Sequence, residues 1–484
     1  MKKPFVKSNA LSALRFGWVI FLSASAEAQV MQDSTGHIPA LRTHITPPSN
    51  ASTWWERVGE QHLLDFSEEQ NKVVVDPIVQ VMAGTVQFED DGQEDLIIWD
   101  NIRGARFQAE LDERFHIGGE LLERQGVADP LLGLWAVQQR IPGWGRSKLG
   151  RNNGWNTAEQ AYYDASRVRG WTGWSNGLWS MDTGIDAMHF GAGRASALIS
   201  KTAAPAPYAR VGFEQKQNRT EVSISQWMSD ERGPLGETAE SLLNRSHVLT
   251  VQHIREIKPR WLVQSAYQFV REKGASIASA GWEALGYHEG ESYHAKRHVI
   301  GIENQIHFRI LRTGKGLFYL QQSIGFGGQS RRVDGTLNPY RSTQPLTSVA
   351  GMHLKTNRLE LRVEAYQKSE AVCSTCFEFE ELPPSIEGPR LASLQQAGID
   401  VQGIWNESLR IEGTFELSPR WRLAMRAEQN NAASWGQLQT SYTIHPTWPL
   451  ELYGTIGMAE ARNQLVSNYR WLSIGINAAV SNGM

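Results

Sequence analysis

The sequence predicts an all-β protein, a transmembrane antiparallel β-barrel of about 16–18 strands with a filled or narrow lumen. Three observations lead there. Residue character alternates with a period of two over most of the chain beyond Pro77. A Pro-x-Trp phrase recurs at three turns. A short apolar segment near the N-terminus has the build of an export signal.

The export segment comes first in the chain. Lys2, Lys3, Lys7 and Arg15 give a positive start, Phe16 to Leu22 a short apolar run, and Ala26-Glu27-Ala28 a small-x-small cleavage pattern. The run is well short of the roughly 20 residues of a membrane-spanning helix. Residues 1–28 are therefore expected to be a signal peptide. Its removal takes the formal charge from -3 to -6. Residues 29–75 form a polar lead-in expected in the periplasm, with Pro47 to Ser52 of linker composition and a weak helical pattern over Trp54 to Lys72. The barrel is expected over 76–484.

Composition narrows the class. With 48 Lys+Arg against 51 Asp+Glu the chain has no basic excess for nucleic acid. Its 41% hydrophobic and 10% aromatic content argues against disorder. A mean hydropathy of -0.40 leaves little room for several apolar helices. The 18 Trp are unusual for a soluble globule.

Strand grammar is clearest over 105–121. Ala105, Phe107, Ala109, Leu111, Phe115, Ile117 and Leu121 take odd positions, and Arg106, Gln108, Glu110, Arg114, His116 and Glu120 take even ones. Such alternation marks strands with one apolar and one polar face. Asp112-Glu113-Arg114 sits where a hairpin turn belongs. The same pattern recurs at 358–366, where Arg358, Glu360, Arg362 and Glu364 share the polar parity. At 409–428, Arg410, Glu412, Arg426 and Glu428 do so. Tight turns alternate with long polar connections (229–246, 273–296, 328–347, 368–398), as in outer-membrane barrels. Pro259-Arg260-Trp261, Pro419-Arg420-Trp421 and Pro446-Thr447-Trp448 each lead into a strand. Proline ends pairing in the turn, and the indole of Trp261, Trp421 or Trp448 is expected at headgroup level. The Arg and Glu rows are expected to pair across the interior as a lumenal charge network; lining water is the alternative.

The stretch 96–214 carries a family resemblance. It runs from Trp99-Asp100-Asn101-Ile102-Arg103-Gly104 through Arg169-Gly170-Trp171-Thr172-Gly173-Trp174 and Leu178-Trp179. It continues with His189-Phe190-Gly191-Ala192-Gly193-Arg194 and Ser196 to Ser200, then Pro205-Ala206-Pro207-Tyr208. This order resembles the Wzi-type capsule-assembly outer-membrane proteins, particularly their Bacteroidetes branch. The resemblance implies an 18-stranded barrel with a closed lumen that binds or organises capsular or exopolysaccharide at the cell surface without catalysis. Surface polysaccharide, outer-membrane lipid and lipopolysaccharide are the implied partners, with no cofactor. The chain departs from the family at Ser481-Asn482-Gly483-Met484, where a terminal aromatic is missing, and in a lead-in shorter than the enterobacterial periplasmic domain.

Within that stretch His189, Arg194, Ser196, Ser200 and Arg210 are candidate glycan donors at or below the outer surface. The glycine-rich run lacks the third Gly and the strand-helix context of a dinucleotide loop. Trp171, Trp174 and Trp179 suit an interfacial belt, with sugar stacking as the alternative. Cys373 and Cys376 form either a local disulfide or two loop thiols. His288, Glu289, Glu291, His294 and His298 lack a fixed metal geometry. His-Glu-x-x-His is absent. A porin for a small solute is the alternative function, and a lipid or glycan hydrolase a third.

Overall fold

A computed structural model describes residues 64–68, 70–89, 92, 94–127, 130, 146–149, 162–199, 205–232, 243–272, 296–310, 314–327, 330–331, 337–338, 346–368, 407–430, 433–445, 448–461 and 468–479. The described elements are β-strands. They begin with β1 (Leu64–Glu68), β2 (Asn71–Phe88), β3 (Leu96–Leu111), β4 (Phe115–Val127), β5 (Arg146–Leu149), β6 (Tyr162–Ser175) and β7 (Trp179–Asp186). Next come β8 (Ala206–Gln215), β9 (Asn218–Arg232), β10 (Leu243–Lys258), β11 (Trp261–Glu272), β12 (Lys296–Ile310) and β13 (Gly314–Gly327). A small pair, β14 (Ser330–Arg331) and β15 (Leu337–Asn338), precedes β16 (Leu346–Lys355), β17 (Leu359–Lys368) and β18 (Glu407–Glu416). The last are β19 (Trp421–Asn430), β20 (Ala433–His445), β21 (Trp448–Ala461) and β22 (Tyr469–Ala479).

Eighteen of these form one closed antiparallel ring. Each pairs with its neighbour in sequence, and the ring closes where Ile78–Phe88 of β2 pair with β22. The signal segment, most of the lead-in, and Cys373 and Cys376 lie outside the described residues. The helical pattern ending at Lys72 is corrected: its last residues form the β1–β2 hairpin, with Leu64 opposite Val75 and Glu68 opposite Asn71. Lys72 also pairs with Glu110 of β3, so the sheet begins ahead of residue 76. β1 continues the line of β22 along the same edge of β2, with Asp76 and Pro77 lying between the two pairings on that side.

The turns have local causes. Asp112 and Glu113 adopt φ values of 53° and 54° between β3 and β4, a left-handed pair that lets a short hairpin follow strand twist. Between β6 and β7, the Asn176 carboxamide oxygen accepts from the Leu178 and Trp179 amides at 3.1 and 2.7 Å. This is an Asx-type closure, and Gly177 takes φ 85°. Ser418 receives the Trp421 amide on its hydroxyl at 3.1 Å before β19.

Several strands exceed the expected 9–11 residues. β2 has 18, and β3 and β10 have 16 each. A tilted strand of ~10 residues spans the apolar band, so the surplus extends the wall beyond it. Eighteen strands spaced ~4.8 Å apart and tilted ~40° enclose a backbone wall about 35 Å across. Side chains from opposite walls cannot meet across that distance. Yet inward residues such as Gln264, Gln268, Glu303 and Gln305 are fully buried. Chain must therefore occupy the lumen.

Candidate functional site in the barrel lumen

The outer surface of the ring decides its environment. Phe107, Phe115, Leu121, Val168, Met181, Ile300, Leu409, Phe415, Ile456 and Ile474 all point away from the lumen and are exposed. A continuous apolar exterior around a closed sheet has its backbone groups satisfied internally, which lets strands sit in hydrocarbon. The protein is an outer-membrane β-barrel. Trp261 and Trp421 stand exposed at the turn ends of β11 and β19, and Trp421 packs on Tyr442 with ring centroids 4.9 Å apart. The Trp448 backbone pairs with His445 at the β20–β21 turn.

Inside the ring, the segment after Asp186 turns inward. Phe190 and Ile199 close its base through a backbone bond of 3.0 Å. Met188, Phe190, Leu198 and Ile199 bury themselves against Trp227, Val248, Ala266, Val270 and Val299 of β9 to β12. Ala195 and Ala197 pack on Leu317, Tyr319, Val349 and Tyr366 of β13, β16 and β17. The hydrophobic core of this barrel thus lies in its lumen.

Polar contacts seat the loop. Glu303 accepts the Ala192 amide at 2.9 Å, and Glu364 accepts those of Arg194 and Ala195, each at 2.8 Å. Gln321 accepts the Ala197 amide and donates to the Phe190 carbonyl at 3.3 Å. Ser323 donates to the Ala197 carbonyl at 2.7 Å. Gly191, at φ 94°, explains the approach: a Cβ there would lie 2.1 Å from the Glu303 carboxylate. Successive backbone amides in a glycine-rich turn make an anion cradle. Here the cradle is filled by the protein's own Glu303 and Glu364 side chains.

Of the candidate glycan donors, His189, Arg194, Ser196 and Arg210 lie on the lumen side of the wall. His189 Nδ1 lies 3.1 Å from the Ile199 carbonyl, and the Ser196 hydroxyl accepts the Leu198 amide at 3.1 Å, so both shape the loop itself. Arg194 pairs with Glu412 at 2.8 Å. Burial lowers the Arg194 guanidinium to about 10 while Glu412 opposes that shift, so it stays charged at neutral pH. Arg210 grips Asp182 through Nε and Nη2 at 3.0 and 2.7 Å. Ser200 lies outside the described residues.

The expected charge rows are distributed among several roles. Arg106 donates to Glu120, and Arg410 to Glu428 through Nε and Nη2 at 3.2 and 3.1 Å. Arg362 and Arg426 stand opposite Glu412 on either side. Glu110 stands opposite His116 near the β3–β4 turn. Glu360 pairs with His353 at 2.9 Å and Lys355 at 3.4 Å. Two placements correct the simple ladder. Arg358 is exposed in the turn before β17, and Glu364 serves the inward loop because three donors converge on it.

A second charge cluster gathers on β3, β4, β6 and β7. Arg106 and Arg167 both bind Glu120, and Arg169 sits 3.7 Å from Glu120 while also bonding Asp186 at 2.5 Å. Arg169 and Trp171 share the inward parity of β6, and the indole is buried beneath the Arg169 guanidinium at 5.4 Å. Trp171 therefore does not belong to the interfacial belt, whereas Trp179 is exposed on the outer face. The alternation Arg167-Val168-Arg169-Gly170-Trp171 carried that signal. His298 lies on the outer face, 2.7 Å from the Tyr267 hydroxyl. The other members of its acidic and histidine cluster lie outside the described residues.

No protein-family model matches the sequence, and no curated protein is significantly similar to it. Solved structures similar in chain path include OccAB4 of Acinetobacter baumannii, at 8% identity and TM-score 0.47, covering 85% of this chain and 98% of that one. OpdQ of Pseudomonas aeruginosa is similar at 9% identity and TM-score 0.48, covering 85% and 99%. OccK9 (OpdG) of Pseudomonas aeruginosa is similar at 9% and 0.46, covering 84% and 98%.

Proposed function

We propose that the barrel is a narrow, non-enzymatic channel for small polar solutes, with loop 187–199 as its constriction. One observation carries this. The loop crosses the lumen and buries the β9–β17 wall, yet Arg106, Arg167, Arg169, Arg210 and Arg219 keep side-chain exposures of 13–18%. These exposures support a water-reached path along the β3–β9 wall. Reconstitution into a planar bilayer tests the reading. Small, well-defined conductance steps are expected, enlarged when Glu364 is replaced. A bilayer that stays silent under every applied voltage would overturn it.

A second reading is a sealed barrel that binds or organises surface polysaccharide. The motif resemblance over 96–214 favours it, as does the burial of inward residues such as Tyr469, Trp471 and Ser473 on the far wall. Its test is retention of cell-associated polysaccharide. Deletion of the gene should release polymer without lowering its synthesis, and unchanged retention would remove this reading.

A further inference from the structure

Lipid chains offer a side chain no hydrogen bond, so the outward face of a barrel strand reports what it meets. On β22 that face is apolar through Leu472, Ile474 and Ile476, and on β18 through Leu409, Ile411 and Phe415. β9 to β12 differ. Thr220, His253, Ser265 and Asn304 project outward from these four adjacent strands and are partly exposed. Each shares the parity of an exposed apolar residue on its own strand: Val222, Val251, Trp261 and Ile302. Register gathers them into one patch. His253 stands opposite Thr220 on one side and Ser265 on the other, and Ser265 stands opposite Ile302, two residues from Asn304.

The patch lies within the apolar band. Trp261 marks the interface at the turn end, and Ser265 is four residues beyond it, about 10 Å along the axis of a strand tilted ~40°. Val222, Val251, Ile300 and Ile302 are exposed on its other side. Local bonds use only part of the polar capacity. His253 Nδ1 lies 2.9 Å from the Thr220 hydroxyl, and Asn304 Oδ1 accepts the Trp261 indole N–H at 3.4 Å. Among the described residues His253 Nε2, the Asn304 amide nitrogen and the Ser265 hydroxyl have no partner. Such groups are costly against hydrocarbon, yet the same residue types hydrogen-bond across protein contacts inside membranes. Imidazole, hydroxyl and carboxamide each donate and accept, so the patch is complementary to itself after a two-fold rotation. Arg255 is exposed one outward step nearer the turn, where a long cationic side chain reaches the headgroups.

We infer that the outer face of β9 to β12 is the contact between two copies of this barrel in the membrane, joined as a two-fold pair through Thr220, His253, Ser265 and Asn304. The contact is independent of whether the lumen conducts.

Full-length protein in a C373S/C376S background receives one new cysteine, S265C on this face or I476C on β22. β22 lies nine strands from β11 in the eighteen-strand ring, on the opposite side. In membranes treated with a thiol oxidant, S265C should give a band of twice the monomer mass and I476C should not. Association in liposomes is read in parallel by Förster transfer between donor- and acceptor-labelled copies over a range of protein-to-lipid ratios. T220V/H253L/S265A/N304L should weaken association by about tenfold or more, since each membrane hydrogen bond is worth a factor of about three. These substitutions place apolar groups on a lipid face and leave the fold intact, which the heat-dependent electrophoretic shift of the barrel checks. T440V, on the outward face of β20, should leave association unchanged. Equal cross-linking at both positions, a monomer at every ratio, or association unaffected by the four substitutions overturns the contact. A cross-linked band whose second component is a different protein overturns the assignment of a second copy.

Discussion

Replacing Glu364 by alanine isolates what holds the inward loop in place. The carboxylate accepts the Arg194 and Ala195 amides, each at 2.8 Å, and the Tyr319 hydroxyl at 2.5 Å. Truncation leaves these three donors in a buried setting, and each orphaned donor costs roughly 1–3 kcal/mol. Water entering the space relieves part of that, so a loss of about 3–6 kcal/mol in local loop stability is expected. At about 1.4 kcal/mol per factor of ten, amide exchange across 187–199 should accelerate by ~10²–10⁴. Strands β20 to β22, on the other side of the barrel, should exchange as before. Hydrogen-deuterium exchange by mass spectrometry reads both regions in one experiment. E364Q keeps one carbonyl acceptor and should fall between wild type and E364A. Loop protection in E364A within threefold of wild type would refute the assignment of Glu364 as the anchor.

Further outcomes follow from other positions. G191A should loosen the same loop by ~1–3 kcal/mol, because a Cβ meets the Glu303 carboxylate and the positive φ disfavours any side chain; the exchange assay used for E364A measures it. I474R places a charge on the exposed outer face of β22 and should cost ~2–4 kcal/mol in lipid, seen as a lower urea midpoint in liposomes. G457A forces a Cβ to within 2.0 Å of the Trp471 ring, which stacks on Trp435 at 5.6 Å. It should cost ~1–3 kcal/mol and reduce the near-ultraviolet dichroism of the indole pair. N-terminal sequencing of the mature protein from the membrane fraction is expected to begin at Gln29.

The hairpins were legible because their cause is local. Ala105 to Leu121 alternate around Asp112-Glu113-Arg114, and nothing distant is needed to place that turn. The closed ring follows from repetition of the same pattern. Lumen contents are a different matter. Gly191 to Ala197 have the composition of an exposed loop, and the residues that draw them inward lie 111, 170 and 124 positions away, at Glu303, Glu364 and Gln321. Sequence parity shows that Glu364 faces inward. It does not show whether the carboxylate takes an arginine from a neighbouring strand or amides from a loop. Trp171 differs, because its parity with Arg169 already placed it inside.

The junction between the first and last strands bears on how the barrel assembles. β1 occupies the edge of β2 at Asn71–Val75, and β22 takes the edge from Ile78 onward. A hairpin of adjacent residues forms early, since its loop-closure entropy is small. β22 arrives from almost 400 residues away and meets an edge whose lower part is already taken. If it slid toward the periplasm by more than the two positions at Asp76 and Pro77, it would collide with Leu64. The N-terminal hairpin therefore acts as a doorstop for the closing strand. Barrel circumference and stagger are set by a contact made before closure begins.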